Sequence, residues 1–386
     1  MAQYDVWAEI DLRSFSHNIR QFKNILCPSA RLMAVLKANA YGHGLLEVAG
    51  RVLEAGAQVL GVARISEAIA IRRAGFDAPI LIFGHTPPEL AGKLIDYNLT
   101  QSIWSYEMAR SLSEALPPGG WKIKAHLKVD TGMGRLGMVP CDLGRSTDDP
   151  EISAQVIGDV ALIKRLPGIE LEGVYTHFAT ADAADKTYAV RQFEIFNRFL
   201  EKVKKQGIEF EICHAANSAA IIDMPQTHLD MVRLGISLYG YAPSEFVDAD
   251  KVGILPVMTL KSRIIHLKKV NAGFCVSYGR TWKATSPTVI ATVSIGYGDG
   301  YSRLLSSKAK MLVRGRLAPV AGRVCMDQTM LDVGQIPDVA VGDEVVVFGP
   351  HKTLPIGADR IAEHINTISY EVLTQISDRV PRVYIR

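Results

Sequence analysis

No stretch of the sequence approaches the roughly 18 uninterrupted apolar residues of a membrane helix, and the amino-terminal segment carries Asp5, Glu9 and Asp11 where a secretory signal needs a basic start and an apolar run. A membrane span is disfavoured, and a cytoplasmic protein is expected. Cysteines are few and scattered: Cys27, Cys141, Cys213, Cys275 and Cys325 are odd in number and never spaced C-x-x-C. They propose neither a disulfide framework nor a zinc site. Excess charge is lacking as well, because a net +3 on 386 residues, with only a short basic run at 202–205, leaves no footprint for nucleic acid. H-E-x-x-H and other metal-ligand spacings are absent, so no metal is expected and His43 reads as structural.

What is present is an ample core. Apolar residues make up 48% of the chain and charged residues 22%, as in ordinary globular proteins, and the length suggests two domains. From residue 31 to about 240, short apolar runs alternate with longer amphipathic ones, the pattern of repeated βα units. The spacing predicts eight strands, at 32–37, 59–63, 79–84, 99–104, 123–129, 171–177, 210–214 and 231–236. Between the first two, Leu45, Ala49, Val52 and Leu53 share a helical face, and Gly56 supplies a C-terminal stop. Eight such units favour an α/β fold of the closed (β/α)8, TIM-type kind over an open doubly wound sheet. "GMGRLG" at 132–137 matches the G-x-G-x-x-G spacing, but Pro140 follows and no helix opens, so a mobile or tight loop is the better reading. Beyond about residue 243 the segments 257–270, 274–278, 288–295, 310–313, 316–324 and 344–348 are β-rich, and an amphipathic helix over 358–376 closes the chain. The expected division is a barrel over 1–243 and a mainly β C-terminal domain over 244–386.

Barrel enzymes gather their chemistry at the carboxyl ends of the strands. There Lys37 closes the first strand, Arg135 follows the fifth, His177 closes the sixth, His214, Asn217 and Ser218 follow the seventh, and Arg233 sits inside the eighth. Each alone has an ordinary explanation, as a solvent-reaching cation or a hydrogen-bonded core histidine. Their convergence on one rim does not. A lysine shielded at a strand end loses its proton more readily and suits Schiff-base chemistry, with a sugar aldehyde or with pyridoxal phosphate. Gly235 and Ile236 in "RLGISLYG", together with Ser218, fit a phosphate, a feature not unique to one cofactor.

The stretches "AVLKANAYGHG", "HLKVDTGMGRLG", "GVYTHFATAD", "HAANSAA", "VRLGISLYG", "VSYGRTW", "SIGYGDGYSR", "GRVCMDQTMLDV" and "NTISYEVLTQISDRVPRVY" follow one another from residue 31 to the carboxyl end. In that order they resemble the successive motifs of the alanine racemases. The resemblance implies interconversion of L- and D-alanine on pyridoxal 5'-phosphate, supplying D-alanine for peptidoglycan. It implies Lys37 as the cofactor's lysine, Tyr41, Ser218, Gly235, Ile236 and Tyr370 around the phosphate, and Arg233 at the pyridine nitrogen. Arg135 and Met326 would meet the substrate carboxylate, and Tyr278 would be the second catalytic residue. His177 would link Tyr278 to Arg233, Lys128 matches a position often carbamylated, and His214, Asn217 and Asp327 are supporting residues. A head-to-tail homodimer would lend Tyr278 and Met326 to the neighbouring site. One departure, Gly298 in "GYGDG" where the family often has alanine, is expected to loosen the loop carrying Tyr297 and Arg303.

The chemistry agrees with those roles. Racemisation removes the Cα proton from one face and returns one to the other, so two acid/base groups on opposite faces are the simplest device. An arginine at the pyridine nitrogen does not readily yield its proton, which leaves that nitrogen neutral and the ring a weaker electron sink. Rival readings are a racemase of broader range, acting on serine or basic amino acids, and a barrel decarboxylase, which would keep the carboxylate away from a counter-charge such as Arg135. A non-catalytic cofactor carrier is a third rival, but it has no use for a domain bearing Tyr278.

Overall fold

The computed structural model describes residues 4–144, 151–350, 354 and 356–386, so Met1–Gln3 of the amino-terminal stretch lie outside it. Its first strand, Val6–Asp11 (β1), ends at Asp11, whose carboxylate caps the helix Leu12–Ile25 by accepting the Arg13 N–H at 2.9 Å. Eight parallel strands follow: Arg31–Val35 (β2), Val59–Val62 (β3), Ile80–Ile82 (β4), Thr100–Ile103 (β5), Ile123–Lys128 (β6), Ile169–Tyr175 (β7), Ile212–His214 (β8) and Met231–Leu234 (β9). They pair in the order β8-β7-β6-β5-β4-β3-β2-β9. At the seam, the Asp230 N–H reaches the Cys213 carbonyl at 3.1 Å and the Asp230 carboxylate accepts the Cys213 N–H at 2.8 Å, which draws the sheet into a nearly closed barrel. Inner side chains fill the barrel and helices cover its outside, so β3, β4, β5 and β9 are buried along their whole length.

The remaining strands are Met258–Val270 (β10), Cys275–Val276 (β11), Trp282–Lys283 (β12), Thr288–Val293 (β13), Lys310–Val313 (β14), Arg316–Pro319 (β15), Thr329–Asp332 (β16), Glu344–Phe348 (β17) and Arg382–Ile385 (β18). The main path runs β15-β14-β17-β10-β1-β18, with β13 on β10 and β16 on β13, while β11 and β12 form a separate hairpin. Both chain ends therefore meet in this sheet. The expected barrel segment, 1–243, opens with a strand that belongs to the other sheet, because β1 pairs antiparallel with β10 and parallel with β18.

Three further expectations change. The helix over 358–376 is two helices, Ala358–Ile365 and Ser369–Thr374, broken at Asn366, which takes the left-handed cap conformation (φ 56°) that asparagine tolerates. The segment 274–278 is strand only at Cys275–Val276, since Ser277 turns the backbone to φ 66°. Strand β15 stops at Pro319, short of 324, because proline offers no N–H to a ladder. Among the described residues no helix is long and apolar enough to cross a membrane.

Because Ile10 of β1 is wholly buried, Ile10→Ala should cost about 2–5 kcal/mol of unfolding free energy in a denaturant titration. A loss below about 0.5 kcal/mol would show that β1 is an appendage rather than a working strand of the sheet.

Candidate active site

Strand β2 ends at Val35, two residues before Lys37, which the sequence reading placed inside the strand. The backbone leaves the strand because residues 38–41 all have φ between 51° and 55°. A left-handed turn costs roughly 1–2 kcal/mol per non-glycine residue, so it persists only where its surroundings hold it. Here the Ala38 N–H donates to Glu67 Oε1 at 2.6 Å, and Leu45 N–H donates to Asn39 Oδ1 at 2.8 Å. His43 Nδ1 lies 3.1 Å from the Ala40 carbonyl and 2.9 Å from that of Tyr41, so it carries the proton and donates to both. That buried bond is the structural role of His43. Gly42 (φ 81°) lies so near the helix Ser369–Thr374 that a Cβ would fall 2.3 Å from the Leu373 carbonyl oxygen.

The turn delivers Lys37 and Tyr41 to an open cleft of about 810 Å³ at the carboxyl ends of the strands. Burial lowers the pKa of Lys37, and the neighbouring Arg135 lowers it further, against an opposing pull from Glu67. Arg135 sits on the "GMGRLG" loop, which is tight. Asp130 Oδ1 accepts the N–H groups of Gly132, Met133 and Gly134 at 2.9, 2.8 and 3.1 Å, and Oδ2 accepts that of Arg135 at 3.1 Å. Four amides aimed at a carboxylate of the same loop leave no cradle for a dinucleotide.

Among the described residues, Arg233 is buried without a carboxylate partner. Its Nη1 donates to His214 Nδ1 at 2.9 Å, and the two hydrogens of its Nη2 are shared among the carbonyls of Thr176 and Ala215, each at 2.8 Å, and His177 Nδ1 at 3.2 Å. Arginine has only donors, so both histidines accept through Nδ1 and carry their proton on Nε2. Burial, with Arg233 as the next contributor, holds His177 and His214 well below the usual histidine range, and they are neutral near pH 7. Burial also lowers Arg233 to about 10, which leaves it charged at neutral pH.

Lys128, at the end of β6, is pushed down to about 8, first by burial and then by Arg135 and Arg233. Lys37, Lys128, Arg135 and Arg233 thus face a cleft whose lining, among the described residues, includes a single carboxylate, Asp182. Such a site favours anions. On its far side Tyr370 brings its ring to 6.1 Å from that of Tyr41, and Ser218 Oγ accepts the Gly235 N–H at 2.9 Å. Asn217 caps the helix Ser218–Asp223 by accepting the Ala220 N–H at 3.0 Å, which fixes where Ser218 points.

Family models described as the alanine racemase N-terminal domain and the alanine racemase C-terminal domain match residues 10–243 and 257–384. The chain belongs to the alanine racemase family. An alanine racemase of Desulfosudis oleivorans is 52% identical over 384 residues, covering 100% of this chain and 97% of that protein. One of Desulforamulus reducens is 47% identical over 380 residues, covering 98% and 99%. The solved alanine racemase of Clostridium difficile 630 matches at a TM-score of 0.92 and 39% identity, over 100% of this chain and 97% of that one. That of Bacillus anthracis with bound L-Ala-P matches at 0.90 and 35% identity, over 99% and 95%.

Of the residues that the alanine racemase motifs single out, the cleft gathers Lys37, Tyr41, Lys128, Arg135, His177, Asn217, Ser218, Arg233, Gly235, Ile236 and Tyr370. Four stand outside it. His214 lies behind Arg233, and its Nε2 meets His126 Nδ1 at 2.9 Å. Asp327 pairs with Arg379 at 2.6 Å, and Arg379 also holds Asp299 at 2.7 Å. Tyr278 and Met326 are 68% and 52% exposed on the second domain, so a single chain does not bring them to Lys37. The loop that carries Gly298 is tied to the Met326 segment. The Gly298 N–H bonds to the Met326 carbonyl at 2.8 Å, and Tyr297 N–H to that of Cys325 at 3.0 Å, while a methyl at 298 would press on Arg379 and Met326.

The sequence reading missed Tyr175 and Glu67. Tyr175 lies flat on His214 with centroids 4.6 Å apart, under the Arg233 guanidinium, and bonds Ser102 at 2.9 Å. Its signal was the two-residue spacing to His177, which the sequence reading placed at the end of the same strand; β7 itself stops at Tyr175, two residues before His177. Glu67 stands three residues after Arg64, a capping spacing, but nothing local revealed that it reaches Ala38.

Lys128 yields a pH prediction. Its pKa falls from 10.5 unfolded to about 8 folded, so between those values the unfolded chain binds a proton that the folded chain does not, and stability rises with pH. In carbon-dioxide-free buffer the parent should gain about 3 kcal/mol over Lys128→Met between pH 8 and 10.5. Parallel urea-unfolding curves across that window would contradict the burial of this amine.

Proposed function

We propose that the protein interconverts L- and D-alanine with pyridoxal 5'-phosphate as its cofactor, in a site that a second copy of the chain completes. The observation that carries this reading is that one cleft holds Lys37, just past the end of the first barrel strand, together with a buried arginine, Arg233, whose Nε–H has no acceptor among the described residues. Relatives up to 52% identical over the full length are named alanine racemases, which supports alanine over serine or basic amino acids as substrate. The D-alanine formed would serve peptidoglycan synthesis, in the cytoplasm.

The residues fit the cofactor. A Cβ at residue 235 would lie 3.3 Å from the Tyr41 hydroxyl and 3.5 Å from Ser218 Oγ, so the glycine keeps a small polar cradle open. There the hydroxyls of Tyr41, Ser218 and Tyr370 and the backbone at Gly235 and Ile236 would hold the phosphate. Arg233 Nε–H, which has no acceptor among the described residues, would face the ring nitrogen. When bound, the group supplies an electron sink for charge left on the substrate Cα.

This chain's side chains do the rest. Lys37, neutral more often than an exposed lysine, takes or returns the proton on one face of Cα. Arg135 binds the substrate carboxylate and sets its orientation. His177, with Nδ1 committed to Arg233, keeps its Nε2–H for a phenol arriving from outside the chain. Tyr278 of a second copy is that phenol and serves the opposite face. An exposed tyrosine and an exposed methionine, on segments joined by the Ser277 hydroxyl, match a surface that reaches its site only on association.

Two experiments test this. Borohydride reduction of the purified protein followed by peptide mapping should label Lys37, and label on another lysine would remove the cofactor assignment. Lys37→Ala and Tyr278→Phe should each lose about 10²-fold or more of racemisation. Refolded together, they should regain activity, because a mixed dimer holds one site with both native groups. Mixtures as inactive as the separate variants would argue for sites contained within one chain.

A further inference from the structure

The turn that carries Tyr278 has a feature that the roles assigned above do not use. Ser277 has φ 66° and ψ −177°, a region populated almost only by glycine because a Cβ there meets its own backbone. Strand β11 ends at Val276, and this one residue redirects the chain so that Tyr278 stands 68% exposed. A glycine would adopt the same angles freely, but it would also adopt many others.

What the serine adds is an anchor. Its Oγ donates to the Arg323 carbonyl at 2.6 Å and lies 3.6 Å from Cys325 Sγ. Arg323 and Cys325 belong to the segment that ends in Met326. That segment is held from its other side, because Tyr297 and Gly298 donate their N–H groups to the carbonyls of Cys325 and Met326 at 3.0 and 2.8 Å. Two glycines give the clearance: a Cβ at 322 would fall 2.7 Å from the Val276 carbonyl and 3.0 Å from Ser277 Cβ, and one at 296 would fall 2.2 Å from the Cys325 carbonyl.

We propose that Ser277 is a positioning residue that bolts Tyr278 to the Met326 segment, so that the phenol and the methionine enter the neighbouring site as one preset unit; this rests on the two-subunit reading of the site. The hydroxyl bond holds a backbone that the side chain itself disfavours. Removing the hydroxyl while keeping the Cβ releases the turn, whereas removing both removes the strain along with the anchor. Alanine should therefore be worse than glycine at this position, the reverse of the usual order in a chain segment.

The test compares holoenzyme Ser277→Ala, Ser277→Gly and Tyr278→Phe with the parent. Expected for Ser277→Ala is a fall in kcat of about tenfold or more with little change in KM or in the cofactor absorbance, since small misplacements at a reacting centre are costly. Ser277→Gly should fall less. With Cα-deuterated L- and D-alanine, the isotope effect of Ser277→Ala should rise in the one direction in which the phenol takes the proton, which a general folding defect would not produce. The proposal is overturned if Ser277→Ala keeps kcat within twofold, if glycine is worse than alanine, or if the isotope effects stay at parent values. An active Tyr278→Phe would instead sink the two-subunit reading, and an inactive Tyr278→Phe beside an unimpaired Ser277→Ala overturns this inference alone.

Discussion

The structure turns on a buried guanidinium that meets no carboxylate among the described residues. Among the described residues four neutral acceptors hold Arg233: two carbonyls and two histidines that burial keeps neutral. Hydrogen bonds to a charged group contribute roughly 1.5–3 kcal/mol each, enough together to offset a desolvation cost of several kcal/mol. A carboxylate in their place would hold the same cation while cancelling its field. With neutral acceptors, the charge of Arg233 stays available to whatever enters the cleft.

The requirement propagates through the barrel. Because His214 accepts from Arg233 through Nδ1, its Nε2–H must donate to His126 Nδ1, which fixes the tautomer of a second buried histidine. Gly173 on β7 is part of the same device, since a Cβ there would fall 2.7 Å from the His126 ring. Tyr175 covers His214 from one side. The second domain braces the reactive rim as well: Arg382 on β18 donates to the Gly42 carbonyl at 2.9 Å, and the Tyr384 hydroxyl occupies the space that a side chain at Gly44 would need. Lys37 and Tyr278 thus share a construction, each next to positive-φ backbone that long-range contacts hold in place.

The eight barrel strands were legible because strands buried on both faces read as uninterrupted apolar runs bounded by amphipathic helices. Their ends were legible to within a few residues, and with them the rim that carries Lys37, Arg135, His177 and Arg233. Strand β1 was not, because Glu9 and Asp11 interrupt its apolar character and its partners, β10 and β18, lie more than 240 residues away. The break at Asn366 hid within a continuous helical period. The turn at 38–41 was equally hidden: alanine has no intrinsic preference for positive φ, and the turn is held by Glu67, 29 residues on from Ala38, and by the side chain of His43 folding back on it. Motif resemblance supplied Tyr278 and Met326, which no local periodicity marked and which one chain leaves exposed.

The most direct measurement of the central claim is a titration of histidine-selectively 15N-labelled protein followed by NMR from pH 8 to pH 5. The account requires His214 and His177 to remain neutral Nε2–H tautomers throughout, with Arg233 keeping its proton. A His214 resonance that becomes imidazolium with a midpoint near that of free histidine would mean that Arg233 is not donating to it, and the arrangement described for the cleft would fall.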